Sequence, residues 1–223
     1  MTTHRPTRTC PSLTDLRNAL SESFPVLDDD AQRISLALYR ALAEGHPVDL
    51  AELAVQPGLP DADTIRAVVD DWPAVYRDDD GRVVGFWGLA LGGTSHRIEV
   101  RGVRLTTWCA WDTLFLPEIL GAEVRVESPC PVTGLTVQMV VGPAGIESVD
   151  PKSPALSFLD PTGKVGDGVI SAFCHHIHFF ADRAAGETWR ADRPDALLLT
   201  LDEAWELASA ANQARYPSLC GVS

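Results

Sequence analysis

The hydrophobic pattern of the chain changes at Gly92-Gly93, from mostly helical to mixed, and that change limits the architectures open to it. Before the two glycines, apolar residues recur mainly at helical spacing. Ile34, Leu38, Ala41 and Leu42 mark one face of a helix from about Asp29 to Glu44, with Gly45 as a natural stop. Leu13, Leu16 and Leu20 mark a shorter helix that Ser12 can cap, with Asp15 three residues on. A third helix begins near Asp49 and is broken by Pro57-Gly-Leu-Pro60. A fourth covers about Asp61 to Asp71 and turns Ile65, Val68 and Val69 inward. Asp78-Asp-Asp-Gly81, between Ala74-Val-Tyr76 and the run from Val83 to Leu89, reads as a hairpin.

Beyond the glycines the order is mixed. His96 to Arg101 alternates as a strand does, and 108–120 reads as a helix closed by Gly121. Val124 to Val126 and Leu135 to Val141 read as strands around Pro131-Val-Thr-Gly134. Residues 151–168 are rich in Pro, Gly and Asp and predict a long loop. A strand is expected near 175–181 and an amphipathic helix from about Asp202 to Ala214. The predicted class is α+β. A winged-helix-like helical domain over 1–92, with 1–11 a loose tail, precedes a mixed α/β core domain over 93–223 with a small β-sheet.

Composition removes several function classes. Of 223 residues 45 % are hydrophobic and 22 % charged, enough to build a core. The net charge of −13 repels the phosphates of nucleic acid and an acidic membrane surface. The helix preceding the expected hairpin carries Arg66 against Asp61, Asp63, Asp70 and Asp71, so the winged-helix pattern reads as a packing module. No run resembles a signal segment or a membrane span, and a cytoplasmic location is expected. The five cysteines (10, 109, 130, 174 and 220) are odd in number and irregularly spaced, matching neither a disulfide framework nor a zinc finger; in a reducing cytosol they are thiols.

Two segments carry reactive side chains. In Thr106-Thr-Trp-Cys109-Ala-Trp-Asp112, a threonine could cap a helix with Cys109 in its first turn and Asp112 on the same face. A helix dipole is worth only about 0.3–1 kcal/mol, so it moves a thiol pKa by less than about one unit, and an ionised Asp112 opposes the shift. Thiol and carboxylate would therefore share a proton. In Phe173-Cys174-His-His-Ile-His-Phe-Phe180, a strand would turn Cys174, His176 and His178 one way. That offers three zinc ligands at most, one short of a structural site. Read alone, each segment reads first as a buried cysteine beside ordinary core groups.

Read together, the blocks WCAWDTLFLP and FCHHIHFF resemble the first and second active-site blocks of the organomercurial lyases, the bacterial alkylmercury lyases. The resemblance extends over about residues 25 to 210 and includes the CPVTG stretch at Cys130. It implies that Cys109 and Cys174 are catalytic cysteines that bind mercury and that Asp112 is the catalytic aspartate. Trp111 stands where the family often has a smaller aliphatic residue, and His175 where some members have a further cysteine. The implied reaction is protonolysis of a carbon–mercury bond, giving a hydrocarbon and Hg(II). No organic cofactor is needed; Hg(II) stays as bound product until external thiols, or a mercuric reductase, remove it. Soft thiolates match soft mercury. Trp108, Trp111, Phe115, Phe173 and Phe179 are candidate walls of an apolar pocket, and Cys130 is expected to be structural. The alternatives are a non-catalytic thiophilic-metal carrier or winged-helix metal sensor, and a zinc hydrolase built on the histidines.

Overall fold

The computed structural model describes residues 11–162 and 168–217. Cys10, Cys220, nearly all of the expected N-terminal tail and part of the expected 151–168 loop lie outside the described residues. The N-terminal helices form where their caps place them: α1 Leu13–Ser23, α2 Asp29–Leu42, α3 Leu50–Leu53 and α4 Ala62–Asp70. Ser12 and Asp15 make a reciprocal capping box on α1, and Asp28, Asp49 and Asp61 accept first-turn N–H groups of the next three.

The strands β1 Val75–Arg77, β2 Val83–Phe86 and β3 Leu89–Ala90 follow, then β4 His96–Val100, β5 Val103–Thr107, β6 Val124–Pro129, β7 Thr136–Gly142 and β8 Gly145–Asp150. All eight belong to one antiparallel sheet in the order β1-β2-β3-β5-β4-β6-β7-β8. The expected small sheet is thus an eight-stranded one. The hairpin β1–β2 does not stand off as a wing, because β2 pairs with β3 and β3 with β5. Gly92-Gly93 lie in the turn between β3 and β4, and residues on both sides of them share this sheet and one hydrophobic core.

One face of the sheet is covered by α5 Asp112–Leu120, whose C-cap Gly121 takes the left-handed conformation at φ 58°. Against α5 packs α8 Leu201–Arg215, which also packs on α1. Asn212 of α8 donates to the Phe115 carbonyl at 2.9 Å, and Trp111 donates its indole N–H to the Ala204 carbonyl at 3.1 Å. A second sheet, β10-β9-β11, comprises β9 Ala155–Phe158, β10 Phe179–Phe180 and β11 Leu197–Leu199. Between its strands run α6 Val169–Ala172, a 3-10 turn Cys174–His176 and α7 Arg183–Arg190.

Two expectations are corrected here. Strand β9, with all four residues buried, lies inside the stretch read as loop; Pro and Gly on either side hid a short apolar run. The strand expected over 175–181 shrinks to Phe179–Phe180. Upstream of it, backbone groups are taken by tertiary partners: Ala110 donates to the Ile177 carbonyl at 3.3 Å, and the Ser157 hydroxyl donates to the His176 carbonyl and accepts the His178 N–H, both at 2.8 Å. Among the described residues no helix is long and apolar enough to cross a membrane.

Candidate active site

The first reactive segment leaves β5 at Thr107 and enters α5 at Asp112. Cys109 therefore precedes the helix and is not in its first turn, and the two threonines belong to the strand instead of capping the helix. The local logic runs backwards from the expected cap. Asp112 opens α5, and its carboxylate accepts the Cys109 backbone N–H at 2.8 Å, while the Thr107 hydroxyl donates to the Cys109 carbonyl at 2.8 Å. The turn between strand and helix is thus closed by side chains from both ends.

The second segment presents Cys174 from the 3-10 turn, where Ile177 donates to the Cys174 carbonyl at 3.1 Å. Ser157 of β9 and Ala110 hold that turn against the first segment, as described above. A ligand atom from each of Cys109, Asp112 and Cys174 lies within 4.8 Å of the others, and all three residues are buried. Segments 65 residues apart in sequence are thus brought together by tertiary contacts, the Ala110–Ile177 bond and a shared hydrophobic core.

His175, His176 and His178 are not part of this cluster, and the turn scatters the three zinc ligands expected of a strand. His96 accepts or donates at Ser128 Oγ, 2.8 Å from its Nδ1, and its ring lies 6.1 Å from that of His178. Burial holds both imidazoles down at about 4, each helped by a neighbouring histidine, so both are neutral at ordinary pH. Cys130 sits apart with Ala155, Phe180, Ala181, Ala185 and Leu198, accepting the Thr133 N–H at 3.5 Å.

Burial dominates the site's protonation. It pushes Asp112 up from 3.8 to about 7, against the hydrogen bonds from Cys109 that favour the carboxylate. Burial likewise holds the Cys109 thiol well above its ordinary range, reinforced by its hydrogen bond to Cys174 and the Asp112 charge. At Cys174 the hydrogen bond with Cys109 pulls downward, yet burial and the Asp112 charge outweigh it and the thiol is raised. At neutral pH the resting site therefore holds two thiols beside a carboxyl group whose proton affinity burial has raised into the neutral range.

A cavity of about 40 Å³ opens onto Asp112 and Cys174. Its other walls are almost wholly apolar and include Leu20, Phe24, Trp87, Trp108, Trp111, Phe115 and Phe173. Four of the five aromatic residues expected there line it; Phe179 lies in the core instead. Larger clefts, among them two of about 550 and 560 Å³, lie elsewhere on the surface and are lined by no cysteine.

Two contributors escaped the sequence reading. Trp87 and Gly88 form the two-residue turn between β2 and β3, with φ of 34° and 99°. A Cβ at Gly88 would stand 2.8 Å from the Asp112 carboxyl carbon and 2.9 Å from Oδ1. Glycine is needed there both for the backbone and for the carboxylate. The sequence signal for that turn is Gly88 inside the apolar run Phe86-Trp-Gly-Leu89. Ser157 gave no sequence signal, because its partners are 19 and 21 residues away.

A buried dithiol beside a proton-carrying carboxyl group, under a small apolar cavity, defines a thiol-based site for a soft, organic-bearing metal substrate. The comparisons agree with that class. The chain belongs to the alkylmercury lyase family, whose family profile matches residues 89–213. It is 39 % identical over 170 residues to an alkylmercury lyase of Staphylococcus epidermidis, covering 76 % of this chain and 77 % of that one. Those of Streptomyces lividans and Pseudomonas putida are 37 % and 33 % identical over 170 and 172 residues, spanning 76 % and 77 % of this chain and 77 % and 79 % of theirs. Among solved structures, the mercury-bound form of MerB2 superposes with a TM-score of 0.71 at 23 % identity, covering 91 % of this chain and 98 % of that one, a likeness of fold.

Proposed function

We propose that this chain cleaves carbon–mercury bonds of alkyl- and arylmercury compounds, with Cys109 and Cys174 as mercury ligands and Asp112 as proton carrier. The observation that carries the assignment is the meeting of the three donor atoms within 4.8 Å, with Asp112 and Cys174 lining an apolar cavity and Cys109 buried behind them.

The atoms balance as R–Hg–X plus two thiols giving R–H, a mercury bis-thiolate and HX. One thiol attacks mercury and displaces X, and its proton leaves with X. The second thiol then adds to the same mercury and gives its proton to Asp112. Mercury binding makes both deprotonations favourable although burial opposes them in the free site. Two thiolates push electron density onto the carbon, which takes the proton from Asp112 as the carbon–mercury bond breaks. A carboxyl group near 7 both accepts and returns a proton readily at neutral pH. The apolar walls keep water from competing with that transfer.

Hg(II) then stays between Cys109 and Cys174. External thiols, or a partner with a cysteine pair such as a mercuric reductase, remove it by ligand exchange, which suits a reducing cytoplasm. No organic cofactor enters the scheme. The test is benzene release from phenylmercury by the reduced protein with excess thiol, wild type beside Asp112→Ala. Benzene from wild type alone supports the reading. No benzene from wild type, with mercury still tightly held, overturns it in favour of a thiophilic-metal carrier.

A further inference from the structure

Arg215, the last residue of α8, is buried at 6 % exposure yet takes part in no ion pair among the described residues. Its Nε has no hydrogen-bond partner, and one terminal nitrogen donates to the Tyr216 hydroxyl at 3.3 Å. In place of a carboxylate it has ring faces: its guanidinium lies 4.5 Å from the Phe24 ring, 4.4 Å from Trp87 and 5.2 Å from Tyr216. These ring contacts, with hydrogen bonds to the Tyr216 and Tyr39 hydroxyls, offset the loss of water around the cation. The arrangement gathers three rings from separate parts of the chain around one cation.

What Arg215 does contribute is position. Phe24 and Trp87 both line the cavity above Asp112 and Cys174, and they come from segments 63 residues apart. Trp87 occupies a backbone region that bulky residues rarely adopt, at φ 34°. It is pinned there three ways: its indole N–H donates to the Pro73 carbonyl at 2.9 Å, Tyr39 donates to its carbonyl at 2.8 Å, and Arg215 covers its ring. The next residue is Gly88, against which the Asp112 carboxylate rests.

We infer that Arg215 is a positioning residue that clamps Phe24 and Trp87 as the cavity walls and thereby selects the size of the organic group carried by mercury. The inference rests on the lyase reading above. A water position needs roughly 10–15 Å³ of such space, so a cavity of about 40 Å³ suits a methyl group and must widen for a phenyl ring. Moving either the Phe24 or the Trp87 wall outward would widen it, and Arg215, stacked on both rings, opposes that movement.

The experiment measures kcat and KM for methylmercury and phenylmercury, with excess thiol, in wild type, Arg215→Met, Arg215→Lys and Phe24→Ala. In Arg215→Met the phenyl-to-methyl ratio of kcat/KM should rise roughly tenfold, mostly through KM, as expected when one wall of an apolar pocket moves. Arg215→Lys should restore part of the wild-type ratio. Phe24→Ala, at a half-buried loop position, should shift the ratio the same way, and it decides the matter if Arg215→Met does not fold. A merely structural arginine would lower both substrates' rates together. A ratio within twofold of wild type in a folded Arg215→Met, or in Phe24→Ala, overturns the inference and leaves the lyase reading standing. Failure of wild type to release either hydrocarbon overturns the lyase reading itself.

Discussion

Asp112→Asn should stabilise the protein at neutral pH while abolishing turnover, and the size of the gain follows from the site. Burial moves the carboxyl group from 3.8 to about 7. Between those values the folded protein holds a proton that the unfolded chain releases, so stability falls as pH rises. The contribution of Asp112 is full below pH about 4 and lost by pH about 7. The interval is roughly three pH units, each worth about 1.4 kcal/mol, so the ionisable group costs on the order of 4 kcal/mol above neutrality. Asparagine keeps an oxygen that can accept the Cys109 N–H but never ionises. The difference in unfolding free energy, Asp112→Asn minus wild type, should be lowest near pH 4. It should climb about 1.4 kcal/mol per pH unit and level off above pH 7 near 4 kcal/mol, or roughly 10 °C in Tm. His96 and His178, held at about 4, impose the opposite slope below their ordinary 6.5, but they occur in both proteins and cancel in the difference. Urea unfolding of both proteins under reducing conditions from pH 4.5 to 8 supplies the curve. A difference that does not vary with pH would refute the claim that burial sets the carboxyl proton affinity, and with it the account of Asp112 as a carrier near neutrality.

Gly88→Ala should lower kcat at least tenfold by displacing the Asp112 carboxylate, and should cost about 1–3 kcal/mol of stability from the positive φ; full activity in steady-state assays would contradict that packing. Ser157→Ala should cost about 1–3 kcal/mol, because the His176 carbonyl and His178 N–H lose a buried partner, and should weaken mercury binding as the Cys174 turn loosens; titration with Hg(II) and urea unfolding test both. Cys109→Ser and Cys174→Ser should each stop hydrocarbon release and cut tight mercury stoichiometry, with turnover by either variant counting against the two-thiolate scheme.

Much of this molecule is written locally. The caps of α1 to α4 lie in side chains within three residues of the N–H groups they satisfy, so Ser12, Asp28, Asp49 and Asp61 mark those helices without reference to the rest of the chain. The strands β4, β6 and β7 alternate buried and exposed residues along all or most of their length, and that period is visible as text. The resemblance carried by the two cysteine blocks likewise needed no coordinates to point to Cys109, Asp112 and Cys174.

The tertiary structure decided what those residues become. It carried the hairpin β1–β2 into an eight-stranded sheet, since strand pairing depends on partners that no local pattern names. It replaced the first part of the strand expected near 175–181 with a 3-10 turn, Cys174–His176, and a pinned link, because Ser157 and Ala110 took the backbone groups a ladder would have used. It placed Asp112 under Gly88 and away from water, and so moved its proton affinity to neutrality, a property of burial that composition does not encode. The sequence by itself determined which side chains could do the chemistry. Their convergence, their protonation and the cavity above them come from long-range contacts, because distance and desolvation exist only in the folded chain.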